Sequence, residues 1–166
     1  MRKDDGHHGV DIGYYKVDGK LFTGTPVLAA LTGRIAAVVH DRPPYGNMLI
    51  VETPFERIPP ALIAGQKIPS GDSLYTLYAH LQALQALPLG QPIACGQQLA
   101  ETGLSGFTGG PHLHFETRWG PAGKRFAAMA YYRADASDEE MRNYETWRMT
   151  DVFHLFDPME LLKDEG

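Results

Sequence analysis

Cysteine is almost absent from this 166-residue chain: Cys95 stands alone, which excludes an internal disulfide and a thiolate zinc cluster. In its context, Pro92-Ile93-Ala94-Cys95-Gly96, it reads as a small buried hydrophobe. No apolar run approaches the roughly 20 residues needed to span a bilayer. Met1-Arg2-Lys3-Asp4-Asp5 leads straight into the first motif without the apolar core of a signal peptide, so any targeting segment is expected upstream. Positive charge is scarce: 15 Lys and Arg face 20 Asp and Glu, for a formal net charge of -5. That balance argues against nucleic acid or an anionic membrane as partner. Internal repeats are also lacking. What is present is an ordinary share of apolar residues, 43%, in a length that fits one domain over residues 1–166 with a real core.

Short β-rich runs alternate with glycine and proline over the first two thirds. Strands are expected at Val10–Tyr14, Pro26–Leu31, Arg34–His40, Met48–Glu52, Leu74–His80, Gln98–Thr102 and Leu113–Arg118. Turns are marked by Asp18-Gly19, Thr32-Gly33, Pro43-Pro44, Leu89-Gly90 and Cys95-Gly96. The spacing predicts a mostly β domain, an antiparallel sandwich or open barrel. Two stretches break the pattern. Residues 54–72 carry Pro54, Pro59, Pro60, Pro69 and Gly71, too much proline for a central strand, and read as a long loop or hairpin extension. Residues 119–153 contain Ser137-Asp138-Glu139-Glu140, the form of a capping box, from which Met141 to Met149 continues as a short helix. Tyr144, Trp147 and Phe153 are its candidates for packing onto the β domain, and residues 156–162 read as a closing turn or short helix.

The most informative run is Gly110-Pro111-His112-Leu113-His114-Phe115-Glu116. On a strand, His112 and His114 point to one face. Two imidazoles aimed into one space are poor core material but suit metal binding and proton transfer. His7 and Asp11 form a second imidazole–carboxylate pair, and His80 in Tyr78-Ala79-His80-Leu81 ends a strand pattern. A catalytic zinc takes three protein ligands drawn from nitrogen, sulfur and carboxylate oxygen, with a fourth position left for water. His7, Asp11 and either His112 or His114 supply such a set. His7 and Asp11, four apart, share a face if their segment is a strand with its approach loop; His8 then points away and takes no metal role. Glu116 lies on the same strand face as His114, placed either to orient a ligand or to support the fold. His40 and His154 have no motif around them and read as structural or exposed.

These residues resemble the M23 peptidase family, the lysostaphin/LytM-type zinc metallopeptidases that cut peptide bonds in bacterial peptidoglycan. The matching pieces fall in family order: His7-His8-Gly9-Val10-Asp11-Ile12, Gly24-Thr25-Pro26-Val27, Gly33-Arg34-Ile35, Tyr45-Gly46-Asn47, Tyr78-Ala79-His80-Leu81, Gly96-Gln97, and Thr102-Gly103 through Glu116. The closing Asp157-Pro158 and Leu161 resemble the family's usual ending. The resemblance implies the LytM-type β fold, Zn2+ as cofactor, peptidoglycan peptides as substrate and an extracytoplasmic location. It implies that His7, Asp11 and His114 are the zinc ligands and that His80 and His112 are catalytic histidines beside the metal.

Three features depart from the family pattern. Only six residues precede His7, where relatives usually have a segment that walls the groove. The stretches 54–72 and 119–153 are longer than the usual connections and stand as insertions that either rim the cleft or add packing. The expected activity is that of a zinc endopeptidase acting on cross-bridges or stem peptides. The alternative is a non-catalytic domain that keeps zinc and binds the wall or activates an amidase. A biotinyl- or lipoyl-type carrier domain, suggested by the glycine-spaced turns of residues 90–103, fails because no lysine sits in a carrier hairpin. The sequence is silent on oligomeric state.

Overall fold

The computed structural model describes residues 4, 6–13 and 16–162. Its strands are β1 (Val10–Ile12), β2 (Lys16–Val17), β3 (Lys20–Leu21), β4 (Pro26–Leu28), β5 (Gly33–Arg42), β6 (Gly46–Pro54), β7 (Asp72–Ala79), β8 (Leu81–Leu84), β9 (Pro92–Ile93), β10 (Gln98–Thr102), β11 (Leu113–Pro121) and β12 (His154–Phe156). Two α-helices accompany them, α1 (Pro60–Gln66) and α2 (Asp138–Arg148). The main sheet runs β1-β11-β7-β6-β5-β9, with β12 also paired to β11. A smaller sheet runs β4-β10-β8, and β2 pairs with β3 as a hairpin. Neighbouring strands in these sheets are antiparallel. The fold is therefore mostly β, as the turn spacing predicts.

The two faces of the main sheet are sorted by alternation along β6 and β7. Met48, Ile50, Tyr75, Leu77 and Ala79 fall in one core cluster, which they share with Tyr144, Trp147, Met149 and Phe153. Leu49, Val51 and Tyr78 fall in the other, with Val27, Leu99 and Ala100 of the smaller sheet. Covering both faces explains why these strands read as nearly continuous apolar runs rather than as alternating ones. Burying each large apolar side chain contributes about 1.5–3 kcal/mol.

α2 begins with the expected capping box. The Ser137 hydroxyl accepts from the Glu140 amide at 3.2 Å, and the Glu140 carboxylate accepts from the Ser137 amide at 2.8 Å. Glu140 also takes both Nε and Nη2 of Arg42, at 2.6 and 2.8 Å, which ties the helix start to β5. The buried face of α2 presents Tyr144 and Trp147, and Trp147 lies edge-on to Tyr75 with centroids 6.4 Å apart.

Several expectations are corrected. The 54–72 stretch is not an irregular loop: a 3-10 turn at Phe55–Arg57 leads into α1, whose first residue is Pro60, where a missing amide costs nothing. Leu62 of α1 is buried with Ile58, Ile68, Leu74 and Phe156. The short strands β8, β9 and β12 lack a periodicity long enough to read from sequence. The first strand stops at Ile12, and Tyr14 lies outside the described residues. Cys95 is exposed rather than buried, because it sits in the turn after β9, with its thiol donating to the Ala30 carbonyl at 3.3 Å.

Candidate metal centre

β11 carries the site. Its register against β7 pairs His114 with Ala79, Glu116 with Leu77 and Arg118 with Tyr75, so those three polar residues share the sheet face covered further along by α2. On the other edge of β11, Asp11 of β1 pairs with His114. Cross-strand partners on one face lie about 4.5–5.5 Å apart at Cβ, which brings Asp11 and His114 together without any loop.

His7 arrives differently. The strand begins only at Val10, so the rule that residues four apart share a face does not apply. The chain turns instead at Gly9, with φ +98°, and a Cβ there would fall 2.3 Å from the Phe115 carbonyl oxygen. Glycine is required both for the positive φ and for this approach of backbone to β11. The turn brings His7 Nε2 to 3.0 Å from Asp11 Oδ1 and 3.1 Å from His114 Nδ1. His114 Nδ1 is in turn 2.9 Å from Asp11 Oδ1. His8 is not part of this donor group; its Nδ1 accepts from Arg118 Nη2 at 2.8 Å.

The donor set fits a divalent cation. His114 Nε2 lies 3.1 Å from Glu116 Oε1. A carboxylate can only accept, so Nε2 carries a ring proton; Nδ1 donates to Asp11 when the ring is an imidazolium and offers its lone pair to a cation when the ring is neutral. Two imidazole nitrogens and a carboxylate oxygen then converge within about 3 Å, an arrangement that needs a shared positive charge. Tetrahedral zinc, with bonds of about 2.0–2.2 Å, sets its ligand atoms roughly 3.3 Å apart. The three atoms sit close to that spacing.

Glu116 is fully buried and is the hub behind His114. It accepts from Tyr45 Oη at 2.5 Å, from Trp147 Nε1 at 3.0 Å, and from Arg118 Nε and Nη2 at 3.1 and 3.0 Å. Burial opposes its charge, but Arg118, His114 and Tyr45 override it and hold the carboxyl far below the usual range. His114 titrates upward for the complementary reason: burial resists its charge, and the Glu116 and Asp11 carboxylates prevail.

The other two predicted histidines lie alongside. The His80 and His112 rings are 4.8 Å apart at their centroids, and His80 is 5.8 Å from the His114 ring. His80 does not belong to β7. It links β7 to β8 with φ +59°, a conformation uncommon for a non-glycine residue that re-aims its ring. Its Nδ1 donates to the Ser105 carbonyl at 2.8 Å, and His112 Nδ1 donates to the Gly110 carbonyl at 2.8 Å. Each ring is thus fixed in the tautomer that carries its proton on Nδ1. Burial pushes His80 down to about 4, aided by the neighbouring His112 and His114 rings, so it is neutral at pH 7. The five side chains open onto a cleft of about 300 Å³ that also includes Asp4, Tyr45, Phe107, Tyr132 and Arg148.

Sequence reasoning missed Arg118, Tyr45, Trp147 and Arg148. The period-two run His114, Glu116, Arg118 was the available signal for the first. Tyr45 sits within a matched motif but has no pattern of its own. Trp147 and Arg148 reach the site only because α2 folds onto this sheet face, which no local pattern reveals.

Residues 62–127 match the model of peptidase family M23. A cell division protein, DipM, from Caulobacter vibrioides is 32% identical over 101 residues, covering 61% of this chain and 14% of that protein. The chain thus spans about a seventh of the length of that curated relative. Among solved structures, a zinc containing peptidase from Vibrio cholerae is 29% identical, with 57% of this chain and 23% of that chain covered and a TM-score of 0.40. The catalytic domain of lysostaphin from Staphylococcus simulans is 20% identical, with 70% and 79% covered and a TM-score of 0.41.

Proposed function

We propose that this chain, whose residues 62–127 match the model of peptidase family M23, is a zinc-dependent endopeptidase of that family that hydrolyses peptide bonds in peptidoglycan cross-bridges or stem peptides. The observation that carries the reading is the mutual approach of His7 Nε2, Asp11 Oδ1 and His114 Nδ1 to within 3.1 Å, beside two further histidines with fixed tautomers. In this reading the domain is single, the stretches 54–72 and 119–153 are insertions, and the chain acts outside the cytoplasm. No helix among the described residues is long and apolar enough to cross a membrane.

His7, Asp11 and His114 would hold the zinc. When bound, zinc supplies Lewis acidity, polarising the scissile carbonyl and bringing the pKa of a water towards ~7. Glu116 keeps the His114 ring oriented and its Nδ1 basic, the usual task of a carboxylate behind a ligating imidazole. His80 performs proton transfer. Its Nδ1–H is committed to Ser105, so Nε2 is the atom that takes the proton of the attacking water and returns it to the leaving amine. His112 holds its Nδ1–H on Gly110, so its Nε2, 3.4 Å from Asp11 Oδ1, presents a lone pair and serves as a second proton acceptor; once protonated there it can donate to the oxyanion of the tetrahedral state.

The test is turnover on purified sacculi and on short glycine or stem peptides. Turnover lost to chelator and restored by zinc is expected, with mass spectrometry of the released peptides identifying the bond. A protein that retains zinc tightly but releases no peptide would overturn the enzyme reading in favour of a wall-binding or amidase-activating role.

A further inference from the structure

The cleft contains a second built site, separate from the metal-ligand group. Arg148 at the end of α2 is nearly buried, with its side chain 10% exposed. Its Nε donates to Asp4 Oδ1 at 2.8 Å. The other carboxylate oxygen, Asp4 Oδ2, accepts from Tyr144 Oη at 2.8 Å and from Tyr132 Oη. Three donors from the 119–153 segment thus converge on one carboxylate, which is itself only 7% exposed. Arg148 Nη2 donates to the Gly6 carbonyl at 3.2 Å and Nη1 to Tyr45 Oη at 3.4 Å.

Hydrogen-bond accounting shows why this pocket suits an anion. Glu116 is already taken by both nitrogens of Arg118 that reach it, and Arg148 Nη1 keeps a longer ion pair to it at 3.6 Å. Asp4 is the carboxylate hydrogen-bonded to Arg148. Without it Arg148 Nε and the Tyr144 and Tyr132 hydroxyls would lose the acceptor they share. Among the described residues, these side chains are the hydrogen-bond partners of Asp4. Residues 4 and 6–9 belong to no strand, and Gly6, at φ +77°, has nothing within 4 Å of where a Cβ would be. Two of the three donors stand on α2, and their occupant sits on a segment outside any strand.

We propose that Arg148, Tyr144 and Tyr132 form a carboxylate-binding subsite of the cleft, filled here by Asp4 and taken by a carboxylate of the bound peptide when the Asp4 segment withdraws. The inference rests on the cleft being a peptide site. The carboxylate is either a peptide's C-terminus or an acidic side chain; both offer two acceptor oxygens to the same three donors. Asp4 competes from within the chain at an effective concentration on the order of millimolar or above. It thereby screens weak anions and admits only peptides that gain contacts elsewhere in the cleft.

The test follows the Arg148 Nε–H resonance of zinc-loaded protein by NMR during titration with three probes. These are acetyl-triglycine, its C-terminal amide, and acetyl-glycyl-glutamyl-glycine amide. In Asp4→Asn the resonance is expected to shift saturably with the first or third probe, at least tenfold more tightly than in the wild type, and not with the plain amide. Which of the two acids responds identifies the source of the carboxylate. Tyr132→Phe in the Asp4→Asn background, a change at an exposed residue, is expected to weaken binding several-fold without unfolding. A response to the plain amide equal to that of the acids, or no gain from Asp4→Asn, overturns the subsite. Zinc content measured on the same samples is independent: its loss would count against the metal reading and leave the Arg148 result standing.

Discussion

Asp11 and His114 are direct partners across the β1–β11 ladder, and their side-chain atoms meet at 2.9 Å. Two of the three candidate ligands are therefore placed by sheet register, the most strongly specified geometry in a β protein. The third, His7, depends on a single turn.

That turn gives the first prediction. Gly9→Ala would set a methyl 2.3 Å from the Phe115 carbonyl in a backbone conformation that disfavours alanine. We expect a stability loss of about 1–3 kcal/mol and weaker zinc binding. Gly65→Ala, inside α1 with open space around it, should stabilise by roughly 0.5–1 kcal/mol. Thermal melts of both variants, with zinc Kd from chelator competition, check the contrast.

The proposed function divides the histidines by role. His114→Ala should abolish zinc binding, whereas His80→Ala or His112→Ala should keep zinc and lose on the order of 10²–10⁴ in rate. A metal-replete His114→Ala protein with normal turnover contradicts the assignment.

Glu116→Gln removes the charge behind His114. Zinc affinity should fall about 10- to 100-fold. The fully buried Arg118 also loses its carboxylate, so unfolding in denaturant should shift by about 3–5 kcal/mol. Trp147→Phe removes only one donor to Glu116, and its effect on zinc affinity should be smaller and in the same direction.

Glu52 provides a pH test far from the cleft. Burial raises its pKa, but Arg34, the Gly123 amide, Arg125 and Ser73 together bring the carboxyl down to about 2. Its folded value lies below the unfolded one, so its contribution is complete above about pH 4.5 and lost as pH falls through about 2. The unfolding free energy of Glu52→Gln, from denaturant titrations, should sit below that of the wild type at pH 7 by about 2–3 kcal/mol and converge with it near pH 2.

Much of this was legible from residue order. The run into β11 announces itself because alternation aligns His112, His114 and Glu116, and the helix start at Ser137 follows from its capping chemistry. What stayed hidden depends on distant packing or on backbone exceptions. The His80 ring is aimed by a positive φ that no propensity favours. α1 follows a proline-rich stretch that reads as loop. Trp147 and Arg148 acquire meaning only once α2 lies over β7 and β11. Cys95 shows the converse failure: a residue that is small and apolar by type ends in an exposed turn, because its neighbours set its place.

The continuous polar line from His114 through Glu116 to Trp147 binds the candidate metal centre to a helix that is distant in the chain. Loading the cation should therefore tighten more than its immediate surroundings. Amide exchange along residues 138–148 should slow when metal is added and quicken when it is stripped, making this helix a remote gauge of occupancy.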